Sequence, residues 1–303
     1  MKILVDRRIG GFGDLMMLSA PMQKLISSGH EVGLVIDRKW RGLFKHWRIA
    51  LLDGISNGWD QVVDVHQPCP ASVFEVNALK SSRIDKGMAR GMVNATRIEA
   101  FSAALGIYLE ENEMVPIVAL SNDERRYAAE FVKNLPRPIV YVQADAAEKY
   151  KSWQFFPELC DALEARGCSV VSYGSCGNRT SLQCDLLHSI AIIGQCDLFV
   201  GVDSMGIHAA AAVDTPSVLV AGPMNPGSRI ATYPGASAVY LGMQCVPCWR
   251  NEGIPCHVSG MNLSICMERL ETNAVLTHIE RRLAELAVGT KRPVVKYEEI
   301  SPQ

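Results

Sequence analysis

The alternation of apolar and polar residues along the chain predicts strands and helices in regular succession. Short apolar segments predict strands at residues 2–6, 31–37 and 61–66, the first of them a buried strand. A glycine-rich loop follows the first run, and apolar residues at helical spacing come after it: Leu15, Leu18, Met22 and Leu25. The N-terminal part therefore predicts an α/β arrangement that begins with a strand, a loop and a helix.

The same succession returns in the second half of the chain. Buried strands are predicted at residues 138–143 and 216–221, with helical patterns between them. Residues 112–120 show no clear period, and we place a domain junction there. We expect two α/β domains with parallel sheets, 1–118 and 119–303.

Composition and cysteine usage narrow the class of protein. Apolar residues make up 48% of the chain, enough for two cores, and no uninterrupted apolar stretch is long enough to span a membrane. The chain begins directly with a predicted strand and shows no signal peptide, so we expect a cytoplasmic protein. The ten cysteines then fit reduced thiols or metal ligands better than a disulfide framework.

Positive charge is concentrated in the N-terminal part. Residues 1–97 hold 14 Lys and Arg against 9 Asp and Glu, whereas the remainder holds 16 against 23. Residues 38–48 interleave Lys and Arg with aromatics, and a second basic run lies in residues 80–97. The first of these runs fits a surface for a nucleic acid, an anionic lipid or a phosphorylated sugar, or an amphipathic helix with its aromatics in the core.

A loop in the second half is suited to bind an anion. A short apolar run ends at Asp203 and Ser204, good helix N-caps, before a series of alanines. The backbone amides of Ser204, Met205 and Gly206 should then point outward at a helix start, where the helix dipole favours a phosphate. A second turn-rich loop, which contains Asn225, ends the next strand at the same sheet edge, so the two loops border one crevice.

This stretch resembles the donor site of glycosyltransferase family nine, the heptosyltransferase family, with its pattern D-[ST]-G-x-x-H-x-A-x-A, then P, then G-P-T-x-P. Met205 is one departure, because the family has glycine there and this chain has Gly206 one place later. The resemblance implies that Asp203, Ser204, Met205, Gly206, His208 and Asn225 contact the donor. The matching residues are Asp203, Ser204, His208, Ala209, Ala211, Pro216, Gly222, Pro223 and Pro226.

The loop after the first strand carries the candidate catalytic base. It ends in Gly13 and Asp14, and Pro21 lies in the helix that follows. On its own, this G-x-G is a weak dinucleotide signal. The same family has a strand, a loop ending in G-D and a helix with an early proline, and the resemblance implies that Asp14 is the base and that Gly13 borders the donor. The alternative is that Asp14 only caps the helix.

Two further loops carry candidate donor contacts by the same resemblance. Lys149 and Lys151 precede Trp153 in a loop similar to the family's K-x-W-P, whose lysine reaches the donor phosphate. Lys151 is the better match and Lys149 the alternative, although two lysines in a loop are usually only solvated. Asn178 stands where many members have a glutamate that fits the ribose hydroxyls.

A cysteine-rich segment, residues 245–266, is a candidate metal site. The spacing C-x2-C-x7-C-x9-C would supply four thiolates to zinc or iron, with His257 as a spare ligand. The alternative is a set of reduced cysteines that shape a loop. Protein-modifying members of the family carry an iron-binding cysteine finger, though with other spacings. The four candidate ligands are Cys245, Cys248, Cys256 and Cys266.

As a whole, the resemblance implies a GT-B fold, two facing Rossmann-like domains with the active site in the cleft between them. It implies inverting transfer of a sugar, foremost a heptose from ADP-heptose, to an acceptor hydroxyl without a metal in the chemistry. The implied acceptor is an anionic glycolipid core or another surface glycan, as in lipopolysaccharide biosynthesis, with peripheral membrane contact left open. Two alternatives are a glycosyltransferase for a protein or nucleic acid, and a nucleotide-sugar-binding module without catalysis.

Overall fold

The chain forms two compact units, Met1–Ser121 and Asn122–Gln303. The predicted division after residue 118 falls in the irregular segment just before the second unit. The computed structural model describes residues 1–66, 96–144, 146–173, 176, 184–248 and 254–302.

The first unit contains a four-stranded parallel sheet in the order β3-β2-β1-β4. Strands β1, β2 and β4 agree with the predicted strands, although β4 is mostly exposed, whereas the short β3 was not predicted. Its elements in chain order are β1 (Lys2–Asp6), α1 (Phe12–Ser27), β2 (Glu31–Val35), a 3₁₀ helix (Arg38–Phe44), β3 (Ala50–Leu52), β4 (Gln61–Asp64), α2 (Arg97–Ala104) and a second 3₁₀ helix (Glu111–Glu113).

The second unit contains a six-stranded parallel sheet in the order β10-β9-β8-β7-β5-β6. Its elements before the last loop region are α3 (Asn122–Val132), β5 (Ile139–Gln143), a 3₁₀ helix (Lys149–Lys151), α4 (Phe156–Ala165), β6 (Ser169–Tyr173), α5 (Leu186–Ile193), β7 (Leu198–Gly201), α6 (Met205–Ala212), β8 (Ser217–Ala221), α7 (Gly227–Ile230) and β9 (Ala236–Leu241). The remaining elements are α8 (Ile265–Glu268), α9 (Thr272–Ala287) and β10 (Tyr297–Ile300).

Burial explains why the central strands read as unbroken apolar runs. Every residue of β7 and β8 is buried, as expected for parallel strands covered by helices on both faces. Burying one such aliphatic side chain contributes about 1.5–3 kcal/mol. The prediction of two α/β domains with parallel sheets is confirmed. Within the described ranges, no helix combines the length and apolar character needed to cross a membrane.

The C-terminal tail is anchored to the second unit by strand pairing and side-chain hydrogen bonds. Strand β10 pairs with β9, and Lys296 donates hydrogen bonds to the carbonyls of Ala231 (2.9 Å) and Tyr233 (3.0 Å). Glu298 contacts the buried His278 and forms an ion pair with Arg281 of α9. Backbone pairing and ion pairs hold this strand, and neither leaves an apolar pattern in the sequence.

Two cysteines differ from the expectation of reduced thiols. Cys160 of α4 and Cys176, just after β6, form a disulfide with a Cα–Cα distance of 6.9 Å. Both sulfurs lie in the same buried apolar cluster of the second unit. Their sequence separation of 16 gave no sign of this contact, because it arises from the packing of a helix against the sheet.

The basic segment 38–48 is a 3₁₀ helix and a turn rather than a long amphipathic helix. Arg38 and Arg41 both form ion pairs with Asp53 at 2.8 Å. Phe44 is buried, while Trp40 remains partly exposed. Part of the positive charge is therefore paired within the unit, and a role of this segment toward an anionic acceptor stays a prediction.

Candidate functional site

The second unit brings its polar loops together where the strand order reverses. Strand β5 has β6 on one side and β7 on the other, so chain connections leave this point in opposite directions. Gln143 and Gly201 are register partners at the carboxyl ends of β5 and β7. Loops that follow such a reversal border the ligand crevice of open α/β sheets. The loop with Lys151 follows β5, and the loop with Asp203 follows β7.

Lys151 and Asp203, predicted separately as donor contacts, are in direct contact with each other. The Lys151 Nζ lies 3.1 Å from Asp203 Oδ2 and 3.0 Å from Glu148 Oε2. Arg229 adds a second cation, with its Nε 3.2 and 3.3 Å from the two Asp203 oxygens. Lys151, Asp203 and Arg229 also line a small pocket with the loop 222–226. The result is a cluster of two cations and two carboxylates, with the buried Asp203 at its centre and the partly exposed Glu148 at its edge.

The charges in this cluster stabilise one another. Burial disfavours the charged form of Asp203, but Lys151 and Arg229 outweigh burial and hold the pKa of Asp203 well below its usual range. Burial likewise opposes the charge on Lys151, but Asp203 and Glu148 raise the pKa of Lys151 above its usual value. Both groups are therefore charged at neutral pH.

The Lys151 turn is held in place by the segment after the cysteines. Ser264 Oγ donates to the carbonyl of Tyr150 at 2.6 Å, and Trp153 Nε1 donates to the carbonyl of Leu270 at 2.8 Å. Burial raises the pKa of Tyr150 to about 12, so its phenol is neutral. Lys149 is exposed, whereas the side chain of Lys151 is only 13% exposed. The structure therefore places Lys151, rather than Lys149, in the pocket.

Helix α6 begins as predicted, with Ser204 as its N-cap, but neither predicted cap acts through its side chain. Asp203 is engaged by Lys151 and Arg229 instead. The buried Ser204 Oγ has no hydrogen-bond partner among the described residues. A buried hydroxyl beside the unpaired amides of a helix start is suited to donate to an anionic ligand.

Close packing explains the position of the glycine at this helix start. A Cβ on Gly206 would lie 1.9 Å from Gln143 Oε1 and 2.5 Å from the Phe199 ring. Met205, by contrast, is partly exposed and starts the helix. In this chain the glycine is needed at position 206, where the helix presses against β5 and β7.

Gly206→Ala is expected to lower the free energy of unfolding by about 1–3 kcal/mol, because the added methyl group overpacks the contact with Gln143 and Phe199. Met205→Ala is the matched control and should change stability by less than about 0.5 kcal/mol. Chemical denaturation of both variants measures the difference. Equal stability of the two variants would contradict the packing argument.

His208 and Asn225 each form a hydrogen bond that supports the loops near the pocket. His208 is buried, and its Nδ1 lies 2.7 Å from the hydroxyl of Tyr233. Asn225 Oδ1 accepts a hydrogen bond from the Gly227 amide at 2.9 Å, which fixes the turn that leads into α7. In the described contacts, His208 and Asn225 brace the two loops, and contact of either residue with a donor stays a prediction.

In the first unit, Asp14 lies at the start of α1 beside two arginines. The N-cap of α1 is Gly11, with no side-chain capping hydrogen bond, so Asp14 does not act as the cap. Asp14 Oδ2 accepts a 2.8 Å hydrogen bond from Arg7, and Arg97 lies 3.5 Å from its other oxygen. The side chain of Asp14 is 20% exposed, so it is held in place yet open on one side.

The glycine-rich loop makes room for this ion pair. Gly10 has φ +106°, and a Cβ there would lie 2.7 Å from both Arg7 Nη2 and Asp14 Oδ2. Arg7 also donates to the carbonyls of Val65 (2.6 Å) and His66 (2.9 Å). Burial lowers the pKa of Arg7 slightly against the opposing effect of Asp14, but an arginine stays charged at any physiological pH. The loop therefore sets the orientation of Asp14, with Gly13 in the first helical turn.

The structure locates the candidate metal ligands without assembling a metal site. Burial and the nearby Cys248 and Cys245 raise the pKa of the Cys266 thiol to about 12. Burial would raise the pKa of Cys256 as well, but hydrogen bonds with backbone groups outweigh it and lower that pKa to about 7. Among the described residues, no group of three or more Cys, His, Asp or Glu is arranged to hold a metal ion. The metal therefore stays a prediction.

Protein purified without chelators is expected to contain about one equivalent of zinc or iron, and Cys248→Ser should lose both the metal and some thermal stability. Cys184→Ser is the control, because Cys184 is a free cysteine outside the cysteine-rich segment. Elemental analysis measures the metal content, and thermal melting measures the stability of each variant. Parent protein without metal would favour reduced cysteines that only shape the loop.

Two residues of the cluster were missed by sequence reasoning. One predicted donor contact lies outside the described ranges, as does most of the second basic run in residues 80–97. Arg229 and Glu148 carry no motif of their own. The signal that could have found Arg229 is its position just after the G-P-x-x-P loop, where a cation faces the same crevice. Asn178 falls outside the described residues, and its predicted contact with the ribose stays a prediction.

Comparisons with known proteins agree with this site and fold. The model of glycosyltransferase family 9 (heptosyltransferase) matches residues 179–256, which include the α6 helix start and the loop around Asn225. A search of curated protein sequences gave no match. The predicted resemblance to this family is therefore confirmed by the family match.

Solved structures support the fold. The E. coli ADP-heptose LPS heptosyltransferase II is 17% identical, with a TM-score of 0.62 over 95% of this chain and 100% of that chain. The iron-containing dodecameric glycosyltransferase TibC from enterotoxigenic E. coli is 15% identical, with a TM-score of 0.66 over 94% and 76%. E. coli heptosyltransferase WaaC with ADP is 14% identical, with a TM-score of 0.53 over 93% and 100%.

The comparisons give the fold and a family match over part of the second unit. The chain has the GT-B fold, as predicted, and its residues 179–256 match the glycosyltransferase family 9 model. The particular sugar, nucleotide and acceptor are a separate matter.

Proposed function

We propose that the protein is an inverting glycosyltransferase that moves a sugar, foremost a heptose from ADP-heptose, to an acceptor hydroxyl. The observation that carries this proposal is the cluster of Lys151 and Asp203 at the strand-order reversal, next to the open start of α6. A cation and the amides of a helix start lie together there, and both favour a diphosphate. Similar structures include a heptosyltransferase with ADP and TibC with ADP-heptose, which supports this donor.

The donor diphosphate would bind at the start of α6. The amides of residues 204–206 and the Ser204 hydroxyl supply hydrogen-bond donors, and Lys151 supplies a positive charge. Negative charge grows on the diphosphate as the bond to the sugar breaks. These contacts therefore stabilise the transition state more than the ground state, and the proposal requires no divalent metal for the chemistry.

Asp14 would act as the general base. Its carboxylate takes the proton of the acceptor hydroxyl while the hydroxyl oxygen attacks the anomeric carbon from the face opposite the diphosphate, which leaves with the electrons of the broken bond. Attack from that face inverts the configuration. The hydrogen bond from Arg7 orients the carboxylate of Asp14 that would accept the proton.

The proposed acceptor is anionic, an anionic glycolipid core or another surface glycan. The excess of positive charge in residues 1–97 supports an anionic partner for the first unit. A protein or nucleic acid acceptor is the second candidate, favoured by the basic and aromatic residues of the segment 38–48 and by the cysteine-rich segment.

One experiment tests the function directly. ADP-, GDP- and UDP-sugars are screened for binding by native mass spectrometry, and each sugar that binds is assayed for slow hydrolysis. We expect a nucleotide sugar, foremost ADP-heptose, to bind and to be hydrolysed slowly. Binding without hydrolysis or transfer would favour a module without catalysis, and no binding by any sugar would contradict the proposal.

A further inference from the structure

Arg229 is a buried cation at the donor pocket, and the proposed reaction assigns it no role. It lies in α7, one turn after the loop 222–226, and only 6% of its surface is exposed. Its Nε faces both oxygens of Asp203, at 3.2 and 3.3 Å, and its Nη1 lies 3.3 Å from Ser228 Oγ. A buried arginine aimed at a buried carboxylate indicates a role that depends on that carboxylate.

Asp203 is shared between Arg229 and Lys151, which makes the two cations dependent on each other. Lys151 Nζ lies 3.1 Å from Asp203 Oδ2, and the side chain of Asp203 is only 10% exposed. A carboxylate this deeply buried needs a positive partner at all times. If Lys151 moves toward a bound diphosphate, Asp203 keeps a partner because Arg229 remains.

We propose that Arg229 is a positioning residue that holds the charge of Asp203 and so frees Lys151 to bind the donor's diphosphate. This inference rests on the function proposed above. Without Arg229, Asp203 would retain Lys151 as its cation, and the diphosphate would have to compete with a buried carboxylate for the same ammonium group. With Arg229, the exchange of Lys151 from Asp203 to phosphate leaves no buried charge unpaired.

A double-mutant cycle on Arg229 and Asp203 separates this role from direct contact with the nucleotide. The probes are ADP, GDP and UDP, whose binding does not involve the sugar and is measured by calorimetry on the full chain. Arg229→Met should weaken binding of the preferred nucleotide by about 10-fold, since contacting residues couple on this scale. In the Asp203→Asn background, the same Arg229→Met change should alter binding by less than about 2-fold, because Lys151 no longer pairs with a charged Asp203.

A matched control and a folding check complete the cycle. Arg282→Met removes another buried arginine of the same unit, one that pairs with Glu285, and it should lower the melting temperature without changing nucleotide binding. If Arg229→Met alone does not fold, the comparison of Asp203→Asn with Asp203→Asn/Arg229→Met carries the test, because neither variant leaves Asp203 as a buried charge.

The outcomes are distinct. An equal loss in both backgrounds would show that Arg229 contacts the nucleotide itself, and unchanged binding in Arg229→Met would show that Lys151 does not need it. Either result overturns the positioning role while leaving the proposed function intact. A parent protein that binds none of the three nucleotides and hydrolyses no nucleotide sugar would instead overturn the proposed function, and this inference with it.

Discussion

Asp14→Asn is expected to lower turnover by about 100-fold or more while donor affinity changes little, because general-base catalysis typically contributes roughly 10²–10⁴. The amide keeps the size of the side chain and can still accept a hydrogen bond from Arg7, so the loop geometry should survive. The measurement is steady-state turnover of the nucleotide sugar that the screen selects, together with its dissociation constant. Asp14 is placed in the structure in a way that favours this role, held by Arg7 and partly exposed.

Glu113→Gln is the matched control for this substitution. Glu113 is also a carboxylate of the first unit paired with a cation, Lys24, at 2.6 Å. It has no place in the proposed chemistry, so its neutralisation should leave turnover within about 2-fold of the parent. Turnover of Asp14→Asn that also stays within a few-fold of the parent would remove Asp14 from the role of base.

Lys151→Ala is expected to reduce the catalytic rate by about 100-fold or more, which is the usual effect of losing one donor to a developing negative charge. Binding of the intact donor should weaken less, by no more than about 10-fold. The structure gives the reason for this split. In the free protein Lys151 already pairs with Asp203 and Glu148, so binding a ground-state diphosphate exchanges one set of ionic contacts for another.

Lys149→Ala is the control, since Lys149 lies two residues away and is exposed. Removal of the Lys149 side chain should leave both the catalytic rate and the affinity for the donor close to the parent values. Single-turnover rates and equilibrium binding of the donor separate the two effects. Equal losses in rate and affinity for Lys151→Ala would mean that the lysine only attracts the donor, and unchanged values would remove it from the site.

The parts of the fold that sequence predicted are those that local apolar pattern determines. Buried strands such as β1, β5 and β8 appear as continuous apolar runs because helices cover both faces of the sheets. Strand β3 has only three residues and β10 has two glutamates at its centre, and neither contains a fully buried residue. Backbone pairing with β2 and β9 holds them in their sheets.

For the candidate site, sequence predicted which residues lie near the pocket but not how they pair. Lys151 and Asp203 were both expected to face the donor, and their direct contact arises from two loops 52 residues apart in the chain. Sequence could not place Arg229 beside Asp203, because the path of the loop between β8 and α7 determines where the Arg229 side chain lies. Gly206 is a similar case, since the need for a glycine arises from Gln143 on another strand.

The hydrogen bonds that hold the Lys151 turn have a consequence for how the protein matures on the ribosome. Trp153 and its acceptor, the carbonyl of Leu270, are separated by 117 residues. At a synthesis rate of about 5–20 residues per second, the turn stays without this support for roughly 6–23 s after it is made. The first unit, whose four strands all lie within Met1–Ser121, can complete its sheet during that time. A nascent chain should therefore present a folded first unit well before it can bind a nucleotide.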